Sequence, residues 1–168
     1  HGGFGLIALN GIPKPTFYAF KFFKSMDGEV VYRDEQTLII RKEDGTYNIL
    51  AWNDVMAKGD GFEKRLEIEL PAAFCPVFVK RSTINEQYGN PWRTWIQMGR
   101  PRFPSKQQVS ILKEVARPLI QTNSMDPEDG WLRLELTLGK NEVTLLEMTE
   151  IRDESHTYLG LDDNKVPG

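Results

Sequence analysis

A chain of 168 residues and 19.3 kDa is long enough for one sizeable core, since a domain of this length buries roughly 70% of the surface its unfolded chain exposes. Hydrophobic residues at 40% and charged residues at 27%, with four Trp, five Tyr and nine Phe, exclude a disordered or collagen-like chain. The 21 basic and 24 acidic side chains leave a net charge of -3, which gives no long-range attraction to a phosphate backbone, and no apolar run approaches the ~20 residues of a spanning helix, so neither nucleic acid nor membrane is an expected partner.

The chain opens on His1, with no initiator Met, followed by Gly2, Gly3, Phe4 and Gly5. A charged region leading into an apolar core, as in a signal peptide, is not seen, and the opening reads as a tight loop in a piece of something longer. Pro13 and Pro15 sit where a helix begins, because a first-turn proline forfeits no intrahelical bond. The run Phe17, Tyr18, Phe20, Phe22 and Phe23 then predicts a buried helix from Pro15 to Ser25, with rings on nearly every side and only Lys21 and Lys24 interrupting. Such a helix needs a partner body.

After Asp27-Gly28 the pattern changes from helical to alternating. Gln36 to Lys42 and Gly45 to Trp52 read as two antiparallel strands joined by Asp44-Gly45, a hairpin signal. Leu66, Ile68 and Leu70 alternate with Glu67 and Glu69, and the denser run Ala72 to Ser82 carries Cys75, Val77 and Val79. Both read as strands of a half-buried sheet. Asn90 before Pro91 supplies a cap and a first-turn proline for a short helix near 91–98, which places Trp92 and Trp95 on one face. Ser105 and Gln108 have capping-box spacing, and Val109, Leu112, Val115, Ala116 and Leu119 fall on one face of a helix over 106–116 that Pro118 ends. Leu132, Leu134, Leu136 and Leu138 alternate with polar residues, and a turn at Gly139 to Asn141 leads into Val143, Leu145 and Glu147, predicting a second hairpin. The expected fold is mainly β, an antiparallel β-sandwich with a helical insertion.

Cleaving a glycosidic bond needs two carboxylates held at a fixed separation on rigid elements. Glu67 and Glu69, two apart on one strand, share its outward side and read as solvated surface. Asn85-Glu86 has the residue types of the asparagine-glutamate pair of many glycosidases, but it lies between a strand and the Gly89 turn with no β/α alternation around it. His1 and His156 are far apart and neither has a ligand at helical spacing, so no metal is expected. Cys75 stands alone, without a base to activate it, and reads as a small buried hydrophobe. Gly2, Gly3 and Gly5 miss the dinucleotide-binding spacing, and no cofactor is expected. Trp52, Trp92, Trp95 and Trp131 have rings that stack on sugars or pack internally; of these, Trp92 and Trp95 are the ones expected at an interface or as sugar-stacking aromatics.

His1-Gly2-Gly3-Phe4-Gly5-Leu6, then Gly11-Ile12-Pro13-Lys14-Pro15 and the aromatic helix, resemble the segment that closes the barrel in glycoside hydrolase family 39. The likeness continues through Asn90-Pro91-Trp92 to Trp95, Met98-Gly99-Arg100-Pro101, Ala116-Arg117-Pro118-Leu119 and Tyr158 to Asp163. Enzymes of that family are chiefly β-xylosidases, and iduronidases share it. The resemblance implies a retaining enzyme built from a (β/α)8 barrel followed by a β-sandwich. This chain would supply the terminal loop and helix of the barrel (1–26), the β-sandwich accessory domain (27–153) and a tail (154–168) docking on the barrel. Both family carboxylates would precede His1, so no catalytic residue is carried over and the chain alone would be inactive. His1, Gly2, Gly3 and Phe4 would lie on the catalytic face, close to substrate. The implied partners are the upstream barrel, a xylo-oligosaccharide bound through it, and a second copy of the chain in a homo-oligomer. Two other readings stand beside this one: a stand-alone carbohydrate-binding or oligomerisation module, and a family 39 glycosidase with uronic-acid specificity. No residue assigns a cellular location.

Overall fold

The computed structural model describes residues 4–72 and 75–151. Among these, a small antiparallel hairpin comes first, β1 (Ile7–Ala8) paired with β2 (Ile12–Pro13) across a 3-10 turn in which Asn10 takes φ 65°. α1 (Pro15–Lys24) begins on its proline. There follow β3 (Glu29–Arg33), β4 (Thr37–Arg41), β5 (Tyr47–Asn53), β6 (Lys64–Pro71) and β7 (Val77–Ile84), then α2 (Pro91–Gln97), α3 (Lys106–Val115), β8 (Leu119–Met125), β9 (Trp131–Leu138) and β10 (Glu142–Glu150). The chain is mainly β, and every strand pairing is antiparallel: six strands run in the order β3-β4-β5-β10-β7-β8, and β6 pairs separately with β9.

Alternation explains how the two sheets meet. Along β9 every second residue, Leu132, Leu134, Leu136 and Leu138, is buried, and on β6 so are Ile68 and Leu70. They pack on Ile39, Tyr47, Ile49, Ala51, Val77, Val79, Leu146 and Met148 of the larger sheet, forming one core between the sheets. The opposite face of the larger sheet carries Leu50, Ile84 and Leu145, on which α1 lays Phe22. The Asp44-Gly45 turn forms as expected: Asp44 Oδ1 accepts from the Thr46 backbone N–H at 2.9 Å and from its hydroxyl at 2.6 Å, closing β4 onto β5.

Several expectations need correction. Gly139 to Asn141 does not close a hairpin between β9 and β10, because both edges of β10 are already taken by β5 and β7 while β9 pairs with β6. The turn instead carries the chain from one sheet to the other. β7 begins at Val77 and not at Ala72, following Pro76, whose ring nitrogen has no hydrogen to donate to a ladder, and residues 73–74 of the expected run lie outside the described residues. Leu119 belongs to β8 and not to the face of α3, since Pro118 stops the helix and the chain then extends along β7. β3 at one edge of the sheet has no counterpart among the expected elements; its five residues are all exposed, so no alternation marks it. α1 is not a buried helix in this chain: Phe22 is 5% exposed, but Phe20 and Phe23 remain 60% and 52% exposed.

At one end the inter-sheet core turns polar. Glu142, nearly fully buried, accepts hydrogen bonds from Arg81 Nη2 at 2.9 Å, the Thr144 hydroxyl at 2.8 Å, Asn85 Nδ2 at 3.2 Å and the Gly139 backbone at 3.2 Å. Arg81 also donates to the Thr137 carbonyl at 3.0 Å, so β7, β9 and β10 are tied where the chain changes sheets. Breaking a buried ion pair leaves one charge uncompensated. Glu142→Ala is therefore expected to cost about 3 kcal/mol, the partial exposure of Arg81 moderating the effect; the comparison is Leu138→Ala, a pure cavity at about 2–5 kcal/mol. Urea unfolding of the two variants measures both, and a Glu142→Ala midpoint equal to that of the parent chain would show that the network contributes nothing.

Candidate functional site

α2 and α3 are built from strong local signals. The Trp92 backbone N–H donates to Asn90 Oδ1 at 3.2 Å at the head of α2. Ser105 and Gln108 form the reciprocal capping box at the head of α3, with Gln108 N–H to Ser105 Oγ at 3.2 Å and Ser105 N–H to Gln108 Oε1 at 2.9 Å. Gly89 allows β7 to turn into α2: its φ is 71°, and a Cβ there would lie 2.7 Å from Ile84 Cγ2. Leu112 and Ala116 then pack on Ile12 of the N-terminal hairpin.

Between the hairpin and the two helices lies a groove of about 630 Å³. Its walls include Leu9, Ile12, Pro91, Trp92, Trp95 and Arg102, with Lys14 and Asn10 at the hairpin side. Trp92 and Trp95, three apart on α2, stack with ring centroids 4.9 Å apart and planes tilted by 31°. Trp95 is held from behind, its indole N–H donating to the Pro101 carbonyl at 3.2 Å, whereas Trp92 is 60% exposed. The turn after α2 passes through positive φ at Gly99 and Arg100, and the Arg100 N–H returns to the Trp95 carbonyl at 3.0 Å. A rigid indole platform is thus presented to solvent beside guanidinium and ammonium groups.

The structure brings together Trp92 and Trp95 and leaves the other candidates apart. Phe4 is fully exposed at the start of the described residues, while His1, Gly2, Gly3, His156 and Tyr158 to Asp163 lie outside them. Trp52 packs beneath α1, its ring 6.3 Å from that of Phe23. Trp131 is partly exposed at the start of β9. Glu67 and Glu69 face solvent on β6, where Glu69 pairs with Arg133 at 3.1 Å and Glu67 stands across from Glu135. Asn85 Oδ1 accepts from the Gln87 and Tyr88 backbone at 2.8 Å each, and Glu86 accepts from Asn141, so this pair shapes a turn. Cys75 is half-buried. Among the described residues no group of three or more His, Cys, Asp or Glu is placed to hold a metal, and no helix is long and apolar enough to cross a membrane.

Lys14 and Leu9 were not candidates from the sequence. They join Trp92 and Arg102 where Ile12 docks on Leu112. One signal does mark the region: residues 90–118 carry Arg93, Arg100, Arg102, Lys106, Lys113 and Arg117 against the single carboxylate Glu114.

A polar turn lies on the far side of the sheet, between β3 and β4. The Gln36 backbone N–H donates to Asp34 Oδ1 at 2.7 Å and Tyr32 donates its hydroxyl to Oδ2 at 3.1 Å. The backbone bond from Gln36 and the Tyr32 hydroxyl hold the Asp34 carboxyl below the ordinary carboxylate value. The same hydrogen bond, with the charge of Asp34, holds the Tyr32 phenol above its usual value.

The fold defines a class, mainly antiparallel β with peripheral helices. The family model for glycosyl hydrolases family 39 matches residues 1–133, and the chain belongs to that family. It is 50% identical over 166 residues, 99% of its length, to a β-xylosidase of Geobacillus stearothermophilus, of which it spans 33%. It is similar in fold to a family 39 enzyme from Xanthomonas axonopodis pv. citri, with a TM-score of 0.77 at 22% identity over 90% of this chain and 33% of that one. A monomeric β-xylosidase from Caulobacter crescentus CB15 matches with a TM-score of 0.74 at 22% identity, over 90% of this chain and 34% of that one. The chain therefore spans about a third of the length of these relatives.

An acid whose folded pKa is lowered adds stability above its unfolded value and loses it as pH falls through the folded one. Asp34 should thus stabilise the β3–β4 turn at neutral pH and lose that contribution progressively as pH falls below about 4. Asp34→Asn is expected to flatten that part of the acid limb in a urea-midpoint series against pH. An acid limb identical to that of the parent chain would contradict the assignment.

Proposed function

We propose that this chain is the C-terminal part of a retaining β-xylosidase that releases terminal xylose from xylo-oligosaccharides. In this reading residues 1–26 are the last loop and helix of a (β/α)8 barrel, residues 27–153 form its β-sandwich accessory domain, and residues 154–168 dock back on the barrel. The catalytic acid/base and nucleophile belong to the barrel, where a retaining mechanism needs them about 5–5.5 Å apart. The chain alone is structural and inactive. Its support is the 50% identity to a β-xylosidase along nearly the whole chain.

The observation that carries the reading is the apolar surface left open along the N-terminal segment. The sheets bury their own leucines and valines in one core. The N-terminal segment leaves Ile7, Phe20 and Phe23 substantially exposed although α1 is docked on the sheet. Covering one exposed phenylalanine is worth roughly 1.5–3 kcal/mol. A barrel wall on that side of α1 supplies the cover.

The full-length protein is expected to hydrolyse an aryl β-D-xyloside with retention of configuration, and the 168-residue chain is expected to show no turnover. Phe20→Asp should lower the melting temperature of the full-length protein by several degrees while leaving that of the isolated chain nearly unchanged. Turnover by the pure chain, or equal melting shifts in both contexts, would refute the reading.

A further inference from the structure

We propose that the Trp92 groove binds the sugar chain of an acidic xylo-oligosaccharide, one bearing a uronic acid branch, with Trp92 as the platform and Arg102 meeting the carboxylate. The proposal rests on the glycosidase reading above and goes further by naming the charge of the ligand and the residues that select it.

Charge is the first ground. The segments that build the groove, residues 4–16 and 90–118, hold seven cations and one carboxylate in a chain whose totals are 21 and 24. On the sheets Lys42, Lys80, Arg81 and Arg133 pair with Asp44, Glu147, Glu142 and Glu69. Among the described residues none of Arg93, Arg100, Arg102, Lys106, Lys113 and Arg117 makes an ion pair. Arg102 lines the groove and rests over the Phe103 ring, 5.5 Å from its centroid, which leaves its donor fork open to an anion.

Shape and surface chemistry are the second ground. The groove's volume of about 630 Å³ falls within the range of small-ligand sites. The Trp95 ring backs the Trp92 indole at 4.9 Å, so one indole face is already supported and the exposed remainder is held in place for stacking. An amphipathic ring suits the C–H face of a pyranose, and xylose, lacking an exocyclic hydroxymethyl group, suits the apolar walls formed by Leu9, Ile12 and Pro91. Sparse polar groups with cations to one side match a mostly neutral chain carrying one acid better than a polyanion. An acidic polypeptide is the other occupant such a surface could accept, and the test separates it.

The experiment uses the full-length protein and three probes: thio-linked xylotriose, the same oligosaccharide carrying a glucuronic acid branch, and a polyglutamate peptide, titrated by calorimetry. The branched sugar is expected to bind about tenfold more tightly than the unbranched one at low salt. That preference should fall toward unity at about 0.5 M NaCl and in Arg102→Gln, with Arg102→Lys retaining part of it. Trp92→Ala should weaken both sugars, and melting temperatures close to the parent value show that each variant folds. Equal affinity for the two sugars, a preference that survives Arg102→Gln, or tighter binding of polyglutamate than of the branched sugar would overturn the proposal. Aryl β-xyloside turnover in the same preparation is scored separately: its absence sinks the glycosidase reading, while the two-sugar comparison still decides the groove.

Discussion

Two adjacent strands that are covered on both faces hold this molecule together. On β5, Tyr47, Ile49 and Ala51 point into the core shared with β6 and β9, while Leu50 and Trp52 point to the layer under α1. On β10, Leu146 and Met148 serve the first layer, and Val143 and Leu145 the second. Burial on both sides forbids a slip of one residue, because a slip exchanges the two sets of side chains without exposing either, yet misfits their volumes. Every other element takes its place from these strands: β4 and β7 pair on their flanks, β6 and β9 roof one face, and α1 settles on the other.

How much of this was legible from the residues follows from which strands have one wet face. β6 and β9 alternate strictly, and their alternation is the structure. β3 and β8 are edge strands exposed along nearly their whole length, so they carry no hydrophobic period; backbone pairing to β4 and β7 defines them. The partner of β9 was not readable either. Gly139 to Asn141 has the composition of a hairpin turn, and only the demands of β10 for neighbours on both edges, with Glu142 buried at the crossing, send β9 to the other sheet. At the groove the Trp92–Trp95 spacing and the Ser105 capping box are local and could be read directly. The approach of Lys14 to Arg102 depends on docking between segments distant in sequence, which local pattern does not encode.

The N-terminal hairpin serves two surfaces at once. Its Ile12 is buried against Leu112 and Ala116, fixing α3 and through it the floor of the groove. Its Ile7 stays exposed, as do Phe20 and Phe23 one element later, while Leu9 lines the groove. A short segment with one side locked to the helices and the other open fits the proposed place at the end of a barrel. That property agrees with a chain that belongs to glycosyl hydrolases family 39 and spans a third of a β-xylosidase relative. The core between the sheets is filled by their own side chains, so it asks nothing of a neighbour.

The distribution of charge constrains what the helical region is for. Like charges gathered on a low-dielectric apolar surface repel one another and destabilise the folded state, and exposed pairing with nearby carboxylates is the ordinary relief. The sheets use that relief, most fully where Arg81 meets buried Glu142. In α2, α3 and the turn between them the carboxylates are missing from the sequence itself, Glu114 excepted, and Arg102, with Lys14 of the N-terminal segment, lines the groove beside the stacked indole pair. A surface serving solubility alone has no need of the indole, and one serving packing alone has no need of the cations. Their coincidence along one groove points to a ligand that is apolar along its length and anionic at a point, and the repulsion among the cations is what such a ligand relieves.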